Sequence, residues 1–175
     1  MTGQKPSAFD KMNVVIANRQ RVQKINRPLL KKTIHTLLQE FKIEQVEIGI
    51  CLVAAPEMTR LNETFLQHAG STDVITFDYL AEGRAGRPLR AATFGAHEVP
   101  CPVLHGDIYV CVDEAVLQAG RFGTRWQSEI VRYIIHGFLH LLGFDDSNPA
   151  GRRKMKREEN RWLREMTRRF PLSKL

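Results

Sequence analysis

The sequence predicts an α+β fold, a single mixed β-sheet of about four strands covered by helices, with residues 1–175 forming one domain. Three observations predict it. Four runs have the β-branched or apolar composition of strands, and segments with a helical three-and-four period lie between and after them. The chain of 175 residues is long enough to bury one core and short for two.

Residues 12–17, MNVVIA, run into a polar NRQR and form the first predicted strand. A helix is predicted from about Pro28, where Leu29, Leu30, Ile34, Leu37, Leu38 and Phe41 recur at three and four. VEIGICLVAA is a continuous apolar run suited to a central strand. Pro56 then opens a short helix, PEMTRLNETFL, in which Met58, Leu61, Phe65 and Leu66 can share a face. Residues 73–79, DVITFDY, and 107–112, DIYVCV, supply two further strands. The connection between them, residues 80–106, is long and carries several Gly and Pro, a pattern of functional or mobile loops. A short helix is predicted over residues 113–120, and a strongly apolar, buried one over 125–142. The last helix, 151–170, sets Met155, Trp162, Leu163 and Met166 on one side and many arginines elsewhere, which makes Trp162 a core anchor.

Composition narrows the function classes. Hydrophobic residues make up 43% and charged residues 26%, which excludes wholesale disorder. No apolar run spans a bilayer and the first residues lack a secretory apolar stretch, so the expected location is cytoplasmic with no membrane partner. Cys51, Cys101 and Cys111 are odd in number and widely spaced, which suggests neither a disulfide framework nor cysteine-ligated zinc; Cys51 and Cys111 read as small core residues. A formal charge of +7 favours an anionic partner, of which nucleic acid is the commonest.

The chemistry is concentrated in IIHGFLHLLGFDDS. Histidines four apart on a helix lie about 40° apart around its axis, so His136 and His140 project from one face and can share a metal. With six histidines, such a pair arises by chance in roughly one chain in six, so it does not by itself name a metalloenzyme. The next residues add weight. Gly143 can stop the helix and turn the chain back, and Asp146 falls at the third position of a His-x3-His-x2-Gly-x2-ligand spacing like that of metzincin peptidases. Asp145 is the alternative third ligand. Two imidazoles and a carboxylate leave a fourth position open, the catalytic arrangement of zinc, where water ionises near neutral pH. The opposing reading is of core histidines satisfied by backbone or carboxylate partners. Gly137 occupies the place of the Glu that serves zinc peptidases as general base, which points away from amide hydrolysis and, with the basic chain, toward a phosphodiester.

HGFLHLLGFDD resembles the HGxLHLxGYDH signature of the YbeY endoribonucleases. STDVITF resembles their TDVLSF strand, GDIYVCVDEAVLQA resembles their GDIxIxxxxxxxQA segment, and LNETFL is similar to another. The matches keep the family's order over roughly residues 46–165. The resemblance implies a metal-dependent, single-strand-selective endoribonuclease of ribosomal RNA maturation and ribosome quality control, with ribosomal RNA or the small ribosomal subunit as partner. His136 and His140 carry over directly as metal-binding and catalytic residues. Asp146 stands where the family has its third histidine, a substitution that lowers the site's positive charge. Leu66 stands where many relatives have an Arg suited to gripping phosphate; His68, two residues on, is a candidate to replace it or to transfer a proton.

Between Gly151 and Leu175 ten Lys or Arg face three Glu, a sequence-independent attraction for phosphate. Arg152, Arg153 and Lys156 are the candidate RNA contacts, against the alternative of a solvated helix face. Two other functions stay open: a zinc-dependent peptidase or amide hydrolase, favoured by the metzincin-like spacing, and a noncatalytic RNA-binding assembly factor, favoured by Leu66 and Asp146.

Overall fold

The structure, a computed structural model, describes residues 12–43, 45–80 and 103–175. Among them, strands β1 (Met12–Asn18), β2 (Gln45–Val53), β3 (Val74–Asp78) and β4 (Val103–Cys111) form one mixed sheet in the order β1-β2-β4-β3. β1, β2 and β4 are parallel, and β3 lies antiparallel to β4 on the edge, with Val74 opposite Val110 and Phe77 opposite Asp107. The helices are α1 (Arg27–Glu40), α2 (Ala55–Leu61), α3 (Val112–Phe122), α4 (Trp126–Leu141) and α5 (Pro149–Arg169). The α+β architecture read from the sequence is therefore the one observed.

Strand alternation sends one set of side chains into the main core. Val14 and Ile16 of β1, Ile48 and Ile50 of β2, and Leu104 and Ile108 of β4 pack in one cluster with Leu30 and Ile34 of α1, Phe138 of α4, and Met155 and Trp162 of α5. Ile50, Ile108 and Phe138 are fully buried, and each such side chain stabilises the fold by about 1.5–3 kcal/mol. Trp162 anchors α5 edge-on against Phe41, ring centroids 4.8 Å apart. The other face of the sheet is less covered: Val15 is exposed and Cys51 only partly buried, so of the two cysteines read as core residues Cys111 alone is fully enclosed.

Three local expectations change. PEMTRLNETFL is not one α-helix, because Asn62–Leu66 widens into a π turn that ends at left-handed Gln67. A π turn shifts the angular register. Phe65 and Leu66 therefore leave the face of buried Met58 and are exposed. β4 begins at Val103 instead of Asp107, since Val103 and Leu104 already pair with Gln45 and Val46. Most of the expected long connection, residues 81–102, lies outside the described residues. α5 begins at Pro149, with the Asn148 side chain accepting from the Gly151 N–H as its cap.

One close approach positions the site. Gly137 of α4 faces β4 and β3 so tightly that a Cβ there would meet Ile108 Cγ2 at 2.8 Å and Thr76 Oγ1 at 3.0 Å. A residue without a side chain lets α4 lie directly on the sheet and brings His136 and His140 beside β3.

Candidate metal centre

α4 terminates in a Schellman turn. Gly143, at φ 83°, adopts the left-handed conformation; its N–H donates to His140 O at 2.8 Å and the Phe144 N–H to Leu139 O at 2.9 Å. The reversal carries Asp146, in the connection to α5, back over the last turn of the helix. His136 Nε2 lies 2.8 Å from His140 Nε2 and 3.8 Å from Asp146 Oδ2, while His140 Nε2 lies 3.9 Å from Asp146 Oδ1. One ligand atom from each of the three residues lies within 4.8 Å of the others. Asp145 is turned elsewhere: its carboxylate accepts from the Ser147 N–H at 2.9 Å and hydroxyl at 2.6 Å.

Each imidazole is oriented through its other nitrogen. His136 Nδ1 is 2.7 Å from Glu159 Oε1, and His140 Nδ1 is 3.1 Å from the Phe144 carbonyl. Both partners are acceptors, so each Nδ1 carries hydrogen and each Nε2 directs its remaining valence at the other. Two nitrogen lone pairs 2.8 Å apart repel unless a proton or a cation lies between them. This donor set fits a divalent transition metal: two imidazole nitrogens and a carboxylate, with orienting partners on the outer nitrogens.

Charge balance follows from the packing. Burial alone pushes the His136 pKa down, but the hydrogen bond and charge of Glu159, with the Asp73 and Asp146 carboxylates, hold it above the ordinary histidine value. Burial and the neighbouring His136 charge hold His140 below that value, Asp146 offsetting only part. Burial pushes Glu159 up, yet the bond to His136 and the charges of His136, Lys156 and Arg132 keep it below the usual carboxylate range. The opposite directions of the two shifts favour His136 over His140 as the carrier of a proton shared between the two Nε2 atoms.

The histidines open on a cleft of about 310 Å³ whose other walls include Leu66 from the π turn and Val74, Thr76 and Asp78 from β3. His68 lies beyond Gln67, exposed, its backbone N–H donating to Asn62 O at 3.4 Å; Leu66 lines the cleft and His68 does not. Arg152 Nη1 approaches the Asp146 carbonyl at 3.4 Å, Lys156 Nζ is 3.6 Å from Glu159 Oε2, and Arg153 is exposed. Asp73 caps β3, accepting from the Val74 N–H at 2.9 Å. The packing around Gly137 leaves no room for a peptidase base at that position.

Glu159 escapes a reading that treats the tail as a basic surface. Its signal is nevertheless present: Met155, Glu159, Trp162 and Met166 fall at i, i+4, i+7 and i+11, so Glu159 is the charged member of the buried stripe of α5. Thr76 and Asp78 carry no comparable signal, since their approach to α4 depends on sheet packing.

The family model for Endoribonuclease YbeY matches residues 14–167. An Endoribonuclease YbeY of Chlorobium phaeovibrioides is 35% identical over 135 residues, 77% of this chain and 78% of the relative. One of Salinibacter ruber is 36% identical over 116 residues, 66% and 68%, and one of Chlorobium luteolum 30% identical over 157 residues, 90% and 100%. In structure the chain is similar to a Thermotoga maritima protein solved in solution, with a TM-score of 0.56 and 22% identity over 88% of this chain and 89% of that one. This last likeness concerns the fold. Among the described residues no helix is long and apolar enough to cross a membrane.

Proposed function

The chain belongs to the YbeY endoribonuclease family, and from that premise we propose that it is a zinc-dependent endoribonuclease, selective for single strands, that acts on ribosomal RNA. The observation that carries this reading is the convergence of His136, His140 and Asp146 at the edge of an open cleft. Zinc held there supplies Lewis acidity to a phosphodiester oxygen and to water. His136 and His140 hold the metal from α4, and Glu159 and Phe144 O fix which nitrogens they present. Asp146 contributes the third ligand and one negative charge. Arg152, Arg153 and Lys156 draw the phosphate backbone toward the cleft by charge, independently of base sequence. His68, on the segment that follows the cleft wall, is the proposed proton-transfer group. A flexible strand can bend a phosphate into a cleft of about 310 Å³ more cheaply than a helical duplex can. Ribosomal RNA maturation and quality control of the small subunit, in the cytoplasm, form the proposed setting.

The test is direct. Zinc-loaded protein is incubated with an unstructured RNA, with its duplex and with casein, alongside His140→Ala. Cleavage of the single strand alone, lost in the variant, is the expected result. RNA binding without cleavage at any metal loading would instead support a noncatalytic assembly factor, the reading that the apolar Leu66 in the cleft favours. Cleavage of casein would return the peptidase reading.

A further inference from the structure

Behind the metal centre lies an ionic chain, buried at Glu129 and Glu159, that reaches the centre only through the Nδ1 side of His136. Thr124 Oγ1, in the turn before α4, donates to Glu129 Oε1 at 2.7 Å. Glu129 Oε2 is 3.3 Å from Arg132 Nε. Arg132 Nη1 donates to Asn160 Oδ1 at 2.8 Å and lies 3.5 Å from Glu159 Oε2. Glu159 Oε1 in turn meets His136 Nδ1 at 2.7 Å. The side chains of Glu129, Arg132 and Glu159 are 9%, 19% and 8% exposed, so water screens this chain little. Arg132, His136 and His140 are spaced four apart on α4, and the guanidinium therefore sits one turn behind the first ligand.

The geometry explains why an arginine is suited to this place. Its planar fork meets Glu129 on its own helix and both Asn160 and Glu159 on α5, contacts that a single ammonium point cannot make together. Glu159 has two oxygens and two tasks. Oε2 faces the cations, Arg132 at 3.5 Å and Lys156 at 3.6 Å, which leaves Oε1 for His136. Lys156, 63% exposed, is far more open to water than Arg132, 19% exposed, so the guanidinium is the partner that restricts the carboxylate's rotation.

We propose that Arg132 is a positioning residue of the metal centre: by clamping Glu159 it sets the ring orientation and tautomer of His136, and metal affinity depends on it although it touches no metal. This rests on the reading that His136 and His140 bind metal. A carboxylate that orients a metal-binding histidine typically contributes 10–100-fold to affinity. The guanidinium, one residue further out, acts through that carboxylate alone.

The test is a double-mutant cycle on metal-free protein titrated with Co²⁺, whose visible absorption reports ligand geometry, with thermal unfolding of the metal-free form measured in parallel. Glu159→Gln is expected to weaken Co²⁺ binding roughly 10–100-fold. Arg132→Met is expected to weaken it about fivefold to tenfold and to shift the absorption bands, with Arg132→Lys intermediate. In the Glu159→Gln background neither change at Arg132 should weaken binding further. If Arg132→Met proves too unstable to handle, Arg132→Lys in the two backgrounds completes the same cycle. Wild-type affinity and band positions in the Arg132 variants, with only the unfolding temperature lowered, would overturn the proposal. So would full additivity with Glu159→Gln. The variant His136→Ala/His140→Ala separates the premise: if it binds Co²⁺ as the wild type does, the metal lies elsewhere and the role of Arg132 falls with it.

Discussion

Glu159 on α5 and His136 on α4 are joined at 2.7 Å through Oε1 and Nδ1, and this single contact decides which nitrogen of His136 faces His140 and Asp146. An interhelical packing contact thus sets the chemistry of a ligand whose position is otherwise a matter of helix geometry.

The protein is expected to hold about one zinc per chain, because three converging ligands leave an open fourth position. Metal analysis of purified protein should show that His136→Ala and His140→Ala each lose most of it. Near-stoichiometric zinc in the double variant would place the metal elsewhere.

Asp146 and Asp145 should separate cleanly. Asp146→Ala is expected to weaken metal binding and Asp146→His to keep or strengthen it, while Asp145→Ala disturbs only the bonds to Ser147. A register error of one residue would show as the opposite pattern, with Asp145→Ala damaging and Asp146→Ala neutral.

Metal uptake should release a proton. Despite burial, Glu159 keeps the His136 pKa above the ordinary histidine value, so in metal-free protein the proton between the two rings persists to higher pH. Below that pKa affinity should rise about tenfold per pH unit with about one proton released, and above it the slope should flatten. Calorimetry in buffers of different ionisation enthalpy counts the protons; no release at mildly acid pH would contradict the arrangement.

Neutralising the basic residues in the first turns of α5 should alter RNA affinity. Arg152→Gln, Arg153→Gln and Lys156→Gln together are expected to lower single-strand binding and to reduce the salt slope by about 0.7 for each phosphate that is no longer neutralised. Binding isotherms at several salt concentrations check this. An unchanged slope would make these residues a solvated face of α5.

Gly137→Ala should destabilise the fold, since the added Cβ meets Ile108 Cγ2 at 2.8 Å on a helix held against the sheet. Such overpacking costs about 1–3 kcal/mol, visible as a lower unfolding temperature. A wild-type unfolding curve would mean that α4 stands further from β4 than this distance requires.

By itself, the sequence determined the α+β class, the helix bearing His136 and His140, the stop at Gly143 and the candidacy of Asp146. Each of these depends on geometry local to the chain: the 3.6-residue period sets which side chains share a face, and a glycine's access to positive φ sets where the turn occurs. Trp162 as a core anchor was legible for the same reason. Only tertiary structure decided that Glu159 and Arg132 stand behind His136, that Thr76 and Asp78 wall the cleft, and that the π turn takes Phe65 and Leu66 off the buried face of α2. Apart from the π turn, which directly continues α2, those relations join elements distant along the chain, and their distances follow from how closely α4 can approach β3 and β4 and how α5 packs across α4. No local period carries that information, because the same helices and strands at a slightly different separation would leave the sequence pattern unchanged while parting the carboxylate from the ring.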